Sequence, residues 1–183
     1  MQFPRSLLSG FAAFVLLAAF CPPAAKAGPA EIDAAAYMTL ERFFYRVPKS
    51  RDLAKKAAGV LVFPSVVKAG FGFCGEYGEG ALLIHGQKAG YYNLVSGSFG
   101  LQLGVQSRSV IVMFMEQEGL DAFRRRNGWK VGVAGSVTMV SVGAQGAIDT
   151  DNMHSPIVGF ISDHSGLMAG VSLEGAKISR IYR

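Results

Sequence analysis

The sequence predicts an α+β domain with a mainly antiparallel β-sheet or barrel-like core, an N-terminal amphipathic helix and short surface helices. Three observations support this fold class. From residue 60 onwards, short apolar runs are bounded by Gly, Pro, Ser or Asn, which is typical of strands. Before that point, apolar residues recur at helical spacings. The chain also contains 23 glycines, which permit tight turns and close backbone approaches.

Three helices are predicted. Residues 29–47 place apolar side chains three and four positions apart, and Pro48 ends that helix because its ring forbids a continuing backbone hydrogen bond. A second helix is expected over residues 50–58, capped at its start by the Ser50 hydroxyl and stopped by Gly59 in a left-handed conformation. A surface helix is expected over residues 116–126.

Strands are predicted wherever apolar runs lie between turn-forming residues. The six residues 85–90 contain two glycines and form the expected hairpin connection between two of these runs. The predicted strands cover residues 60–63, 81–84, 91–95, 110–115, 131–135, 137–142, 158–161 and 167–173.

The N-terminus predicts a signal peptide. Arg5 precedes an apolar run over residues 7–20, and small residues at Ala25 and Ala27 match the positions that a signal peptidase reads. The run is shorter than the about 20 residues that a membrane-spanning helix needs, which argues against the alternative of a retained anchor. We therefore expect residues 1–27 to be removed, leaving a single domain over residues 28–183 that is periplasmic or secreted.

Removal of that segment also changes the charge and the cysteine content. The net charge falls from +5 to +3 with the loss of Arg5 and Lys26, which is too small for a typical nucleic-acid-binding domain. Cys74 becomes the only cysteine, so no disulfide within the chain is expected. Its apolar neighbours predict a buried thiol.

Several motifs resemble catalytic or ligand-binding patterns. Residues 70–75 match the glycine spacing of dinucleotide-binding loops, but the glycine-rich residues that follow cannot start a helix, so a bulged strand is predicted. Residues 149–152 begin like a calcium loop but lack its later glycine and glutamate, which predicts a solvated turn. Residues 163–165 are Asp, His and Ser, the residue types of a catalytic triad, but side chains adjacent in sequence point apart, so a β-turn is predicted.

The histidines are scattered along the chain, at His85, His154 and His164, and no pair has the spacing of a helical zinc motif. We therefore expect no metal, no cofactor and no enzymatic activity.

A basic aromatic segment supplies the candidate site. Six cations fall within fifteen positions, against only Glu41 and Asp52, and they surround Phe43, Phe44 and Tyr45. Cations and aromatic rings together suit an anionic bilayer surface. The alternative is an ordinary helix whose phenylalanines enter the core while its cations stay solvated. The candidate lipid-binding residues are Arg42, Phe43, Phe44, Arg46, Lys49, Arg51, Lys55 and Lys56.

Four blocks of the sequence form a recognisable series: AAGVLVFPSVVKAGF at residues 57–71, GEGAL at 78–82, SFGLQLGVQ at 98–106 and GLMAGVSLEG at 166–175. In order and spacing, over essentially the whole chain after residue 27, they resemble the SYLF domain family. One departure is Ser96-Gly97-Ser98, where the family often has a pair of glycines.

The resemblance implies a phospholipid-binding module without enzymatic activity. Eukaryotic members are associated with phosphoinositides, membrane remodelling and, in some cases, actin filaments. An amphipathic N-terminal helix is implicated in lipid contact in the family, which supports the segment from Arg42 to Lys56. An exported protein would meet bulk anionic phospholipid instead of actin or cytosolic phosphoinositides.

We therefore expect a phospholipid-binding protein of the cell envelope, peripherally associated with the membrane. The alternative function is an envelope protein-interaction or structural module without lipid affinity.

Overall fold

The computed structural model describes residues 27–126, 128–131, 137–141, 155–163 and 175–183. These residues form three helices and six strands that belong to one sheet. The helices are α1 (Pro29–Arg46), α2 (Ser50–Lys56) and α3 (Gln117–Arg125). The strands are β1 (Gly59–Ile84), β2 (Gln87–Phe114), β3 (Trp129–Lys130), β4 (Val137–Ser141), β5 (Ile157–Asp163) and β6 (Lys177–Ile181).

The three predicted helices are confirmed, and the second begins at Ser50 as predicted, but its predicted Ser50 cap and Gly59 stop are wrong. Lys49, in a left-handed conformation at φ 70°, precedes the first turn of α2, and the Ser50 hydroxyl instead donates a hydrogen bond of 2.7 Å to the Val47 carbonyl. At the other end, Ala57 is extended and Gly59 already begins β1. A Cβ at Gly59 would lie 3.0 Å from the Leu120 side chain, so the close packing of α3 against it favours glycine here.

Strands β1 and β2 form one long antiparallel hairpin. The four apolar runs before residue 116 belong to these two strands, because the glycine-rich segments between the runs are also extended. The predicted hairpin connection is confirmed, in a shorter form. His85 and Gly86 both have positive φ, at 50° and 75°, which is the two-residue type I′ turn that matches strand twist.

The hairpin contains irregularities that let it bend. Its register shifts between Phe63 and Val66, between Phe71 and Phe73, and between Leu82 and Leu83. The second of these lies within residues 70–75, so the predicted bulged strand is confirmed there.

The second half of β1 lies directly against the first half. A Cβ added at Gly80 would come within 2.2 Å of the Val62 carbonyl oxygen, and one at Gly78 within 2.8 Å of the Ser65 carbonyl oxygen. No side chain fits at these two contacts, which is the role that glycine plays where two backbones approach. The sheet therefore curls back on itself, and the predicted barrel-like α+β fold is confirmed.

Strand β2 is central to the sheet. Strand β1 lies along one edge of it, while β6 pairs with its first half and β5 with its second half, all antiparallel. Strand β3 extends the sheet beyond β6. Strand β4 pairs with β5 in parallel, which is the exception in a mainly antiparallel sheet.

Both faces of the sheet are apolar, and neighbouring residues alternate between them. One face packs against Leu120 and Phe123 of α3, and the other packs against Ile32 and Phe43 of α1. The first face includes Leu61, Phe63, Val110, Val112 and Phe114, and the second includes Val60, Val62, Ile111 and Met113.

Some predictions concern residues outside the described part of the chain. They include the apolar run at 7–20, the acidic turn at 149–152, the strand at 167–173 and the side chain of Cys74. Among the described helices, none combines the length and the apolar character that would be needed to cross a bilayer.

Candidate membrane-binding face

Helix α1 is held on the sheet by a polar cluster at its N-terminal half. The Asp33 carboxylate accepts hydrogen bonds from the Lys88 ammonium at 3.1 Å and from the Tyr91 hydroxyl at 3.0 Å. Hydrogen bonds with Tyr91 and Asp33 raise the pKa of Lys88 above its ordinary value. One turn later, the Tyr37 hydroxyl donates to the Gly86 carbonyl at 3.0 Å, which ties the helix to the hairpin turn.

The C-terminal half of α1 is held by packing against β5. The Phe43 ring is buried, and its centroid lies 4.9 Å from that of Phe160. The Arg46 guanidinium donates to the Ser162 hydroxyl at 3.3 Å. Val47, directly after the helix, is also buried. The same face of α1 therefore contacts the sheet along the whole length of the helix.

The opposite face of α1 is exposed and carries two large side chains. Tyr45 is 91% exposed and Met38 is 65% exposed. They are seven residues apart, which places them two helical turns apart on one face, with Arg42 between them. The list of candidate lipid-binding residues left out Met38 and Tyr45, although Tyr45 lies among the predicted cations and its helical spacing from Met38 could have identified the pair.

The two predicted phenylalanines lie in different environments. Phe43 belongs to the core and is not part of the exposed face, as in the second of the two interpretations that the sequence left open. Phe44 is half-buried at the flank of α1, where the Arg51 guanidinium lies over its ring at 4.6 Å from the centroid.

The six predicted cations are all exposed and lie on α1, α2 and the corner between them. Two of them form ion pairs within this segment, Arg51 with Glu41 at 2.6 Å and Lys55 with Asp52 at 3.7 Å. Within the described residues, no ion pair involves Lys49 or Lys56. Residues 41–56 therefore present four more cations than carboxylates on an exposed surface. We call this surface, together with Met38 and Tyr45, the basic face.

A cleft opens beside the basic face, between the two N-terminal helices, the start of β1 and the hairpin turn. Its volume is about 500 Å³. The walls are apolar and consist of Leu40, Phe44, Ala54, Ala57, Val60 and Leu83. The large side chains of the lining that are exposed, and so mark the mouth of the cleft, are Tyr37, Glu41, Arg51, Lys55 and His85. The sequence did not predict this cleft, since its lining comes from residues far apart in the chain.

The Glu41–Arg51 pair joins α1 to α2 at the mouth of the cleft. The two side chains are 63% and 53% exposed, respectively. A pair so exposed contributes about 0–1 kcal/mol, so either partner is readily available to another charged group.

Elsewhere, the described residues contain no group of three His, Cys, Asp or Glu side chains that could hold a metal ion. His85 lies in the exposed hairpin turn, and His154 and His164 are outside the described residues.

Comparison with known proteins finds a family model that matches part of the chain. Residues 95–181 match the family model Ysc84, described as "Las17-binding protein actin regulator". This part of the chain is similar to the Ysc84, or SYLF, domain. The match includes the blocks at 98–106 and 166–175, so the predicted family resemblance is confirmed. No curated protein matches the chain.

The matched residues supply part of the support for the basic face, which itself lies earlier in the chain. Phe160 and Ser162, which contact the C-terminal half of α1, are within the matched residues. The matched range also contains α3, β5 and most of β2.

Proposed function

We propose that this protein is a non-enzymatic phospholipid-binding protein that docks on anionic membranes through the basic face. The observation that carries the proposal is the exposed side of α1, where Met38 and Tyr45 flank Arg42 and the surface continues into the cations of α2. The family supports a binding role but names a protein ligand, Las17, and actin regulation.

The magnitudes fit a weak, reversible contact. Each Lys or Arg near an anionic surface contributes about 1 kcal/mol, so the excess of four cations contributes about 4 kcal/mol. Alone, that corresponds to a dissociation constant of about 1 mM. Tyr45 and Met38 add apolar contacts at the headgroup level, where amphipathic rings are favoured. We therefore expect peripheral association that weakens as salt rises.

The proposed location is the cell envelope, with the protein periplasmic or secreted and peripherally associated with the membrane. The charged start, the apolar run and the small residues before position 28 support this location. Sequencing of the N-terminus of the protein isolated from its host would test it, and a retained residue 1 would contradict it.

Vesicle co-sedimentation tests the docking surface. The protein with its natural N-terminus should bind phosphatidylglycerol-containing vesicles more than phosphatidylcholine vesicles. Replacement of Arg42, Lys49 and Lys56 by Gln should weaken binding about 100-fold at low salt, since about 3 kcal/mol is lost. The matched control replaces Arg124, Arg125 and Arg126, which are also exposed but lie at the end of α3. Equal effects of the two triple variants would contradict the proposed surface.

Aromatic variants separate lipid contact from core packing. Tyr45→Ala should reduce vesicle binding without changing the urea midpoint, because the ring is exposed. Phe43→Ala should destabilise the protein by about 3–5 kcal/mol, because it leaves a cavity against Phe160. Unchanged vesicle binding by the folded Tyr45→Ala protein would exclude that ring from the contact.

A second candidate function is a protein-interaction or structural module of the envelope. The family description favours it, because that description names a protein ligand. Recovery of one stoichiometric protein partner, without affinity for anionic or neutral vesicles, would support this function over lipid docking.

A further inference from the structure

The cleft beside the basic face has the size and the walls of a site for an apolar chain. Ligand sites in proteins commonly measure about 300–1,000 Å³ and are lined mainly by hydrophobic side chains. The cleft measures about 500 Å³, and its walls include Leu40, Phe44, Val60 and Leu83. An alkyl chain bound there would replace water along walls that offer few hydrogen-bonding groups.

The mouth of the cleft has the charge to hold an anionic headgroup. Arg51 and Lys55 both lie there, on consecutive turns of α2. The guanidinium of Arg51 already binds one anion, the Glu41 carboxylate, with distances of 3.3 and 2.6 Å to the two oxygens. A phosphate can take the same two-point geometry.

The cleft and the basic face adjoin each other. Glu41 and Phe44 belong to the cleft, while Arg42 and Tyr45, their neighbours in the helix, belong to the exposed side. A phospholipid at the surface of a bilayer that contacts α1 would therefore lie beside the mouth.

We propose that the cleft accepts one acyl chain of an anionic phospholipid from the contacted bilayer. The lipid phosphate replaces the Glu41 carboxylate on Arg51 and is also contacted by Lys55. The argument for this occupant is the charge complementarity of the mouth combined with the apolar walls. The proposal rests on the membrane docking described above and assigns it a specific lipid-binding site.

Because Glu41 and the lipid phosphate compete for Arg51, substitutions at Glu41 and at Arg51 should change the lipid affinity in opposite directions. Glu41→Gln removes the competing carboxylate, so the affinity for an anionic lipid should rise. Arg51→Gln removes the phosphate ligand, so the affinity should fall. The control Glu31→Gln makes the same charge change at an exposed position on the same helix. An equal rise for Glu31→Gln and Glu41→Gln would show a general charge effect and overturn the exchange at Arg51.

The decisive experiment uses the unaltered protein and lysophosphatidylglycerol with acyl chains of about 8, 10, 12 and 14 carbons, below micelle-forming concentrations. Each added methylene that is buried contributes about 0.8 kcal/mol of binding free energy. Native mass spectrometry or calorimetry should show one bound lipid. The affinity should rise about fourfold for each methylene that enters the cleft, and then level off when the cleft is full. An affinity independent of chain length would overturn the proposal.

A substitution that fills the cleft provides a second test. Ala54→Phe places a ring among the cleft walls and should abolish the dependence on chain length, whereas the matched Ala122→Phe on α3 should retain it. If Ala54→Phe does not fold, the chain-length series on the unaltered protein still decides.

Parallel vesicle binding distinguishes this proposal from the proposed function. Binding to phosphatidylglycerol vesicles without chain-length dependence would overturn the acyl-chain site and leave membrane docking intact. Chain-length-dependent lysolipid binding without vesicle binding would contradict membrane docking, and with it the bilayer as the source of the chain.

Discussion

At the scale of single residues, a buried ion cluster links the two arms of the bent strand β1 to strand β2. The Glu76 carboxylate lies 2.6 Å from the Arg108 guanidinium and 3.7 Å from the Lys68 ammonium. Glu76 and Arg108 are each only 7% exposed. Buried charges are tolerated when they are paired, so each member of the cluster depends on the others.

Removal of the central carboxylate should therefore be costly. Glu76→Gln removes the charge that pairs with both Arg108 and Lys68 and should destabilise the protein by about 3–5 kcal/mol in urea unfolding. Glu118→Gln, at an exposed position of α3, should change stability by less than about 0.5 kcal/mol. A loss below about 1 kcal/mol for Glu76→Gln would mean that solvent reaches the cluster.

The sequence could not predict this cluster, because Lys68, Glu76 and Arg108 meet only after β1 folds back. The same holds for the Glu41–Arg51 pair, which forms across the corner between two helices. By contrast, the burial of Ile32 and Phe43 follows from helical periodicity alone, which needs no knowledge of tertiary contacts.

At the scale of elements, the long hairpin depends on glycines at its closest backbone contact. Gly80→Ala would force a Cβ against the Val62 carbonyl, which cannot move without disturbing the strand. We expect a loss of about 1–3 kcal/mol or more, measured by urea unfolding.

Gly75→Ala is the matched control in the same strand, because a Cβ there meets nothing within 4 Å. It should leave stability unchanged or raise it slightly, since alanine restricts the unfolded chain more than glycine does. Similar losses for the two variants would show that strand propensity, not the backbone contact, determines the effect.

Element types were more predictable than their lengths. The three helices follow from apolar spacing and from residues such as Pro48, which are local signals. The continuity of β1 and β2 was not predictable in the same way, because the glycine-rich segments within them lack the side chains that indicate a strand. Their extended conformation comes from pairing with each other.

At the scale of the whole molecule, the two apolar clusters share strands β1 and β2. Val60 and Val62 face one cluster, while Leu61 and Phe63 face the other, so the loss of either strand exposes both. This arrangement favours unfolding as one cooperative unit.

Trp129 allows that expectation to be measured, since it is the only tryptophan and is buried against Phe114 and Phe123. Its fluorescence reports the cluster beneath α3, whereas far-UV circular dichroism includes α1 on the opposite face. The two urea transitions should coincide. Earlier loss of the helical signal would show that α1 detaches while the sheet remains folded.

The candidate site was predictable only in part. Its cations are contiguous in sequence and could be identified without a structure. The cleft could not, because its walls bring Leu40 of α1 together with Leu83 of β1. The exposed Tyr45 and the buried Phe43 are two positions apart, and only the placement of α1 on the sheet separates their roles.

The fixed attachment of α1 also determines which way the molecule points. Helix α1 is tied to the hairpin turn through Tyr37 and to β5 through Phe43, while α3 packs on the other side of the same sheet. Any surface that α1 contacts therefore sets the orientation of the entire sheet. Helix α3, with Arg124 and Arg125 in its last turn, is then directed away from that surface and remains accessible from the surrounding solution.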